Sequence, residues 1–407
     1  MTRVETKSLI SSERYSEIRS ALDADSLIRT AKEKSGLSDF GDQPFYPALC
    51  KLIDCAARDV DFHALGIQAF KNDIVRHLIN RLRMQNDIND HPEILDEDVS
   101  DPIIILGLGR SGTTKLHKML SAPDSVQKTL FWRIWNPARF PDAIPGKPDP
   151  RIAAAGSSNI LSAENPVLDA AHHVEQQEVE EEWLLYMSTF DDWSWVQVLP
   201  SPSYFDWVMS RPSIEVFRYV KTILQYLQWQ DGGRGGKNGD RPWVLKAVGY
   251  IANMDSLLAC YPNATLVHAH RDPLDTIPSY SKMVSGLWPL YANPVAPKFL
   301  GTEMLRTWST AMERYVEARE RLRLNDRILD VKYEQIRSDP MTAIRAIYQR
   351  TGRTLSWEAE HKMTDWHNQN EQGRYGKHDY SLDEFGLNQA AIRNAFAGYL
   401  NKFSNGK

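Results

Sequence analysis

Apolar positions along the chain change their period near residue 100. Before that point Tyr15, Ile18, Leu22 and Leu27 are loosely periodic, and Ile74, Leu78 and Leu82 recur every four residues, the spacing of one helix face. Residues 1 to about 98 are therefore expected to be helical, closing on a turn at Asn86–Glu93. Beyond it come short apolar-rich runs at Ile103–Leu108, Trp243–Lys246, Thr265–His270 and Arg327–Val331, with helical stretches after the first and third. Leu116, Met119 and Leu120 mark the first of those helices. Strands alternating with helices predict a mainly parallel sheet covered on both faces.

A long insertion, about 125 to 240, separates the first two strands. Pro137, Pro141, Pro145, Pro148 and Pro150 keep its opening irregular. The run Glu175–Glu182 reads as an acidic helix, and an aromatic-rich region follows. Asp231–Asp240, rich in glycine, reads as a surface loop.

A length of 407 residues suggests two or three structural units. The division expected is a helical region, 1–98, and an α/β domain, 99–400, carrying the insertion. A 42% hydrophobic and 25% charged composition is that of an ordinary globular protein. A formal charge of -5 argues against nucleic acid as a partner. No apolar run reaches the roughly 18 residues of a membrane-spanning helix, and the first residues lack the apolar core of a signal peptide. Cys50, Cys55 and Cys260 fit neither a disulfide framework nor a zinc pattern. They read as reduced core residues, and a cytoplasmic location is expected.

The chemistry concentrates at Ile103–Thr114, where an apolar strand runs into a Gly-Ser-Thr turn and then a helix N-terminus. Backbone N–H groups in such a turn, with the positive end of the helix dipole, make an anion site. Gly107 and Gly112 are spaced as in a nucleotide P-loop, but Thr113 stands where that pattern places lysine. A positive charge sits inside the loop instead, at Arg110. A second candidate lies at the end of the Thr265–His270 strand, where ligands of open α/β sheets bind. There Arg271 and Ser279 are eight residues apart, so a strand-end arginine and a serine two helical turns on can face one anion.

Together these segments resemble the sulfotransferase superfamily, which takes 3′-phosphoadenosine 5′-phosphosulfate (PAPS) as donor. Arg110-Ser-Gly-Thr-Thr114 resembles the family's 5′-phosphosulfate loop, and Arg271 with Ser279 its 3′-phosphate pair. Val331–Pro340 resembles the element whose tyrosine, here Tyr333, lies near the adenine. Gly373–Gly386 resembles a basic C-terminal segment that closes over the nucleotide, with Arg374 and Lys377 as its cations. The resemblance covers roughly 100 to 390 and implies a P-loop-like three-layer fold with a central, mainly parallel sheet. It implies Arg110 on the bridging oxygen, Ser111, Gly112, Thr113 and Thr114 around the 5′-phosphate, and Lys246 on the sulfuryl group. It also implies PAPS as co-substrate, no metal, and a small hydroxyl acceptor; a homo-oligomer stays open. A kinase or NTPase, with Asp330 as its acidic strand end, and a non-catalytic PAPS-binding scaffold are the competing readings.

A hydroxyl acceptor must lose a proton, so a histidine or carboxylate is needed in reach. Cytosolic family members place a histidine two residues after the lysine, where this chain has Val248; bacterial Lys-Ser-Pro-x-His is replaced by Lys246-Ala-Val-Gly-Tyr250. Glu178, Glu181 and Glu182 would share a face of the acidic helix. Burial beside Trp183–Met187 would raise the pKa of one of them. Glu181 is favoured as base and His173 stands second. Phe190, Trp193, Trp195, Tyr204, Phe205 and Trp207 read first as core. By the resemblance, their insertion builds the acceptor pocket, which suits a phenol, sterol or other apolar alcohol, or a sugar stacked on aromatic faces.

Overall fold

The computed structural model describes residues 10–42, 44–158, 165–233, 241–370 and 381–403. Its centre is a sheet of strands β1 (Ile103–Gly107), β2 (Gln127–Lys128), β3 (Trp243–Lys246), β4 (Thr265–His270) and β5 (Ile328–Lys332). The order is β2-β3-β1-β4-β5 and every pair is parallel. The strands expected at β1, β3 and β4 form where the apolar runs lie, and β5 forms one residue further on.

Alternation along β1 explains why its run is apolar throughout. Ile103 and Ile105 face a cluster with Leu116, Met119 and Leu120 of the Thr113–Leu120 helix and with Ile344 and Ile347 of the Pro340–Thr351 helix. Ile104 and Leu106 point the other way, into a larger cluster. Helices thus cover both faces, giving three layers, and truncating a buried isoleucine here to alanine would cost about 2–5 kcal/mol.

The N-terminal region is helical as expected, over Ser12–Ala21, Ala24–Ser35, Tyr46–Asp59 and Ala64–Asp90. Leu49, Leu52, Phe70 and Leu78 from these helices join the same apolar cluster as Ile104 and Leu106. The buried Asp59 carboxylate ties the region to the insertion by accepting from the Ser201 and Ser203 hydroxyls at 3.0 and 2.6 Å.

Two local expectations are corrected. Asn86–Asp90 is not a turn: the Ala64–Asp90 helix continues through it, with Ile88 buried and Gln85 donating to Asn89 at 2.7 Å. The helix stops at His91, before Pro92, where the residue preceding proline disfavours helical backbone. Glu175–Glu182 is not a helix either. It turns and then runs extended against residues 129–131: Phe131 N–H donates to the Glu178 carbonyl at 2.9 Å and Glu180 N–H to the Thr129 carbonyl at 2.8 Å. Tertiary pairing there overrides helix propensity.

Candidate active site

The register of the sheet sets the site. Ile105 lies opposite Lys246 and Gly107 opposite Ala269, so β1, β3 and β4 deliver their ends to one edge. The loop after β1 turns on Arg110 and Gly112, with φ of 73° and 88°. A left-handed arginine is a strained backbone state, costing on the order of 1–3 kcal/mol, and such strain gathers at functional loops. The loop also passes so close to Tyr280 that a Cβ on Gly109 would lie 2.4 Å from its ring. Ser111 Oγ donates to the Leu108 carbonyl at 2.7 Å, so this hydroxyl shapes the turn itself. No side chain caps the Thr113–Leu120 helix, which leaves its first amides for an anion.

The two predicted anion sites meet. Arg110 Nε donates to Ser279 Oγ at 3.3 Å, and Arg271 Nη1 donates to the Arg110 carbonyl at 2.9 Å. The Arg271 guanidinium lies over the Tyr333 ring, 4.0 Å from its centroid. Tyr333 in turn packs beside Gly112, where a Cβ would come within 3.1 Å of its ring. Segments 160 to 220 residues apart in sequence are thereby brought around one loop.

Lys246 is buried, 4% exposed, with its ammonium in contact with the Glu181 carboxylate. Burial, reinforced by the Arg110 charge and opposed by Glu180, pushes Lys246 down to about 7. Glu182 is fully buried, accepting from Lys246 N–H at 3.0 Å and from the Tyr250 hydroxyl, and burial raises its pKa to about 7. Glu180, also buried, has both oxygens 2.9 Å from His172 Nε2. Glu178 instead pairs with Lys118 at 3.8 Å, so the three carboxylates expected on one face are split between different partners.

Two cavities flank the loop. A recess of about 630 Å³, counting its open mouth, is walled by Phe131, Leu168, Trp183, Leu184, Tyr280 and Met283, with Lys246, Glu181 and His172 at its polar end. A groove of about 1800 Å³, counting the open solvent at its mouth, runs past Gly112, Lys115, Tyr333, Arg337 and Trp366. Arg110, Thr114 and His172 border both. Arg271 and Ser279 line neither of these two cavities but both bond to Arg110, which lines both.

A model of the sulfotransferase family matches residues 102–358. The chain belongs to the sulfotransferase family. Among solved structures, it is similar to sulfotransferase STF1 from Mycobacterium tuberculosis H37Rv, with 27% identity and a TM-score of 0.79 over 93% of this chain and 99% of the other. It is likewise similar to sulfotransferase STF9 from Mycobacterium avium, with 27% identity and a TM-score of 0.78 over 93% of this chain and 96% of the other. No curated protein sequence matches it significantly.

Within this sulfotransferase, some candidates fall elsewhere. Phe190, Trp193, Trp195, Tyr204 and Phe205 are buried core residues, and Trp207 stacks with Arg211. The aromatic walls of the recess come from Phe131, Trp183 and Tyr280, of which the sequence pattern marked only Trp183, as part of the apolar stretch after the acidic run. His173 pairs with Glu175 at 3.1 Å and borders the groove alone. Asp330 is held by Arg319 at 2.6 Å and His270 at 2.8 Å, on a strand that is not a neighbour of β1. That arrangement leaves the NTPase reading without its acidic strand end. Arg374 and Lys377 lie outside the described residues. Cys55 and Cys260 are buried free thiols, Cys50 is a half-buried one, and no described helix is long and apolar enough to cross a membrane.

Sequence reasoning missed two groups in the recess. His172 carried a signal, a histidine eight residues before a glutamate run. Gln197 carried none: it is 6% exposed, accepts from the Tyr280 hydroxyl at 2.8 Å, and its Nε2 has no hydrogen-bond partner among the described residues.

Proposed function

We propose that this sulfotransferase moves a sulfuryl group from PAPS to a hydroxyl of a small, apolar or aromatic acceptor. The observation supporting this reading is the junction of a polar groove and an apolar recess at Arg110, Thr114 and His172, with Lys246 in the recess wall. A donor with two anionic ends suits the groove side. Arg110, with the backbone amides and hydroxyls of Ser111–Thr114, would hold the 5′-phosphosulfate, and Arg271 with Ser279 the 3′-phosphate. Tyr333 would lie beside the adenine, and Arg374 and Lys377 would close over the nucleotide.

Transfer is then an in-line displacement. A bond forms between the acceptor oxygen and sulfur as the sulfur–oxygen bond to the 5′-phosphate breaks, and the electron pair stays on the phosphate. Arg110 stabilises charge on that leaving oxygen and Lys246 charge on the sulfuryl oxygens. Glu181 holds the Lys246 ammonium at the recess wall. The apolar walls favour a phenol or apolar alcohol, and the unpaired Gln197 amide adds one donor for an oxygen on the acceptor.

Calorimetry with adenosine 3′,5′-bisphosphate against ATP with magnesium tests the donor. Tighter binding of the bisphosphate is expected; tighter ATP binding would overturn the reading.

A further inference from the structure

Sulfuryl transfer to a hydroxyl needs a proton acceptor at the place where donor and acceptor meet. Glu181, favoured by sequence, has its carboxylate engaged by Lys246, and Glu182 is enclosed by Tyr250 and the Lys246 backbone. His172 is differently placed. It borders both cavities, beside Arg110 and Thr114. Its Nε2 is held by both oxygens of the buried Glu180 carboxylate at 2.9 Å. A proton on Nε2 makes Nδ1 the basic nitrogen, and no hydrogen bond engages Nδ1 among the described residues.

We propose that His172, oriented by Glu180, takes the proton of the acceptor hydroxyl, the pair acting as a histidine–carboxylate dyad. This rests on the sulfotransferase reading above. In the step, the acceptor oxygen bonds to sulfur, the sulfur–oxygen bond to the 5′-phosphate breaks, and the hydroxyl proton passes to His172 Nδ1. The products are the sulfated acceptor, adenosine 3′,5′-bisphosphate and the His172 imidazolium. Glu180 is a positioning residue: it fixes the tautomer and offsets the imidazolium charge. Burial works against the Glu180 carboxylate, but the hydrogen bond from His172, with the Lys118 and Lys246 charges and the imidazolium charge once the proton has been taken, outweighs it and lowers its pKa. The titratable and charged groups around the dyad include Glu181 and Glu182 from the same segment, Lys246 from β3, His117 and Lys118 from the Thr113–Leu120 helix and Arg110 from the loop. His173 lacks this setting, with the exposed Glu175 as its partner.

The test compares His172→Asn, Glu180→Gln, Glu180→Asp and Glu181→Gln, with PAPS as donor and a panel of phenols and aliphatic alcohols as acceptors. His172→Asn should lower kcat about 10²- to 10⁴-fold while the Kd for adenosine 3′,5′-bisphosphate holds. Glu180→Gln removes the negative neighbour of the imidazolium, so the acid limb of kcat/KM should move to lower pH, and Glu180→Asp should restore part of it. NMR titration of the His172 imidazole should move in the same direction on Glu180→Gln, whatever the acceptor. His172→Asn turnover within threefold of wild type, or an imidazole titration unmoved by Glu180→Gln, would overturn the dyad. Tighter binding of ATP than of the bisphosphate by the wild type, with no transfer, would overturn the parent reading instead.

Discussion

Replacing Arg271 by alanine separates two roles that the structure gives one side chain. Arg271 donates to the Arg110 carbonyl at 2.9 Å and lies over Tyr333, so its loss loosens the loop for any nucleotide. That bond has a charged donor and contributes about 1.5–3 kcal/mol, roughly 10- to 150-fold in Kd where binding needs the ordered loop. If Arg271 also holds a 3′-phosphate, a charge-assisted contact is lost as well, about 1.5–3 kcal/mol or roughly 10- to 150-fold. Titrating wild type and Arg271→Ala with adenosine 3′,5′-bisphosphate and with AMP separates them. AMP should show the first loss alone and the bisphosphate both, so the ratio of the two losses measures the phosphate contact. Arg271→Lys should fall between, because lysine keeps the charge but lacks the planar fork. Equal losses for both ligands would refute the assignment and leave Arg271 as loop support only.

Other outcomes follow from buried groups in the same region. Glu182 has its pKa raised from 4.5 to about 7 by burial. Between those values the native state therefore binds more protons than the unfolded chain, and stability should fall as pH rises through the window, by about 3 kcal/mol. Glu182→Gln, which can still pair with Lys246 N–H and Tyr250, should flatten that slope in denaturant melts from pH 4.5 to 7; an unchanged slope would place the titration elsewhere. Gln197→Leu should raise KM roughly fivefold, about 1 kcal/mol, for acceptors with a second oxygen and leave purely apolar alcohols unaffected. A uniform change across the acceptor panel would remove Gln197 from acceptor recognition.

The parts of this fold legible in sequence are those whose burial is local and complete. Ile103–Leu106 is covered on both faces, so its apolar run marks a strand without any partner being known. β2, only Gln127–Lys128, is too short to show a period, and pairing with β3 alone defines it. The loop at Arg110 and the Arg271–Ser279 pair stood out in the sequence by residue type and spacing, and the structure brings them together. The Glu175–Glu182 run was misread as a helix. Its extended form depends on Thr129 and Phe131, fifty residues earlier, and without that pairing the acidic pattern looks helical. His172 was hidden for the same reason, since its carboxylate partner comes into reach only when the segment folds back.

Tyr280 stands between the two halves of the site. Its ring backs Gly109 of the loop while its hydroxyl donates to Gln197 at 2.8 Å in the recess. On the proposed reaction, any preference of the nucleotide for one position of the loop would be felt by the same ring that shapes the recess. Linkage then makes the effect mutual: the factor by which bound nucleotide changes acceptor affinity must equal the factor by which bound acceptor changes nucleotide affinity. On the proposed reaction, product release would inherit the same coupling, the departing sulfated acceptor altering the hold on the spent nucleotide through one aromatic side chain.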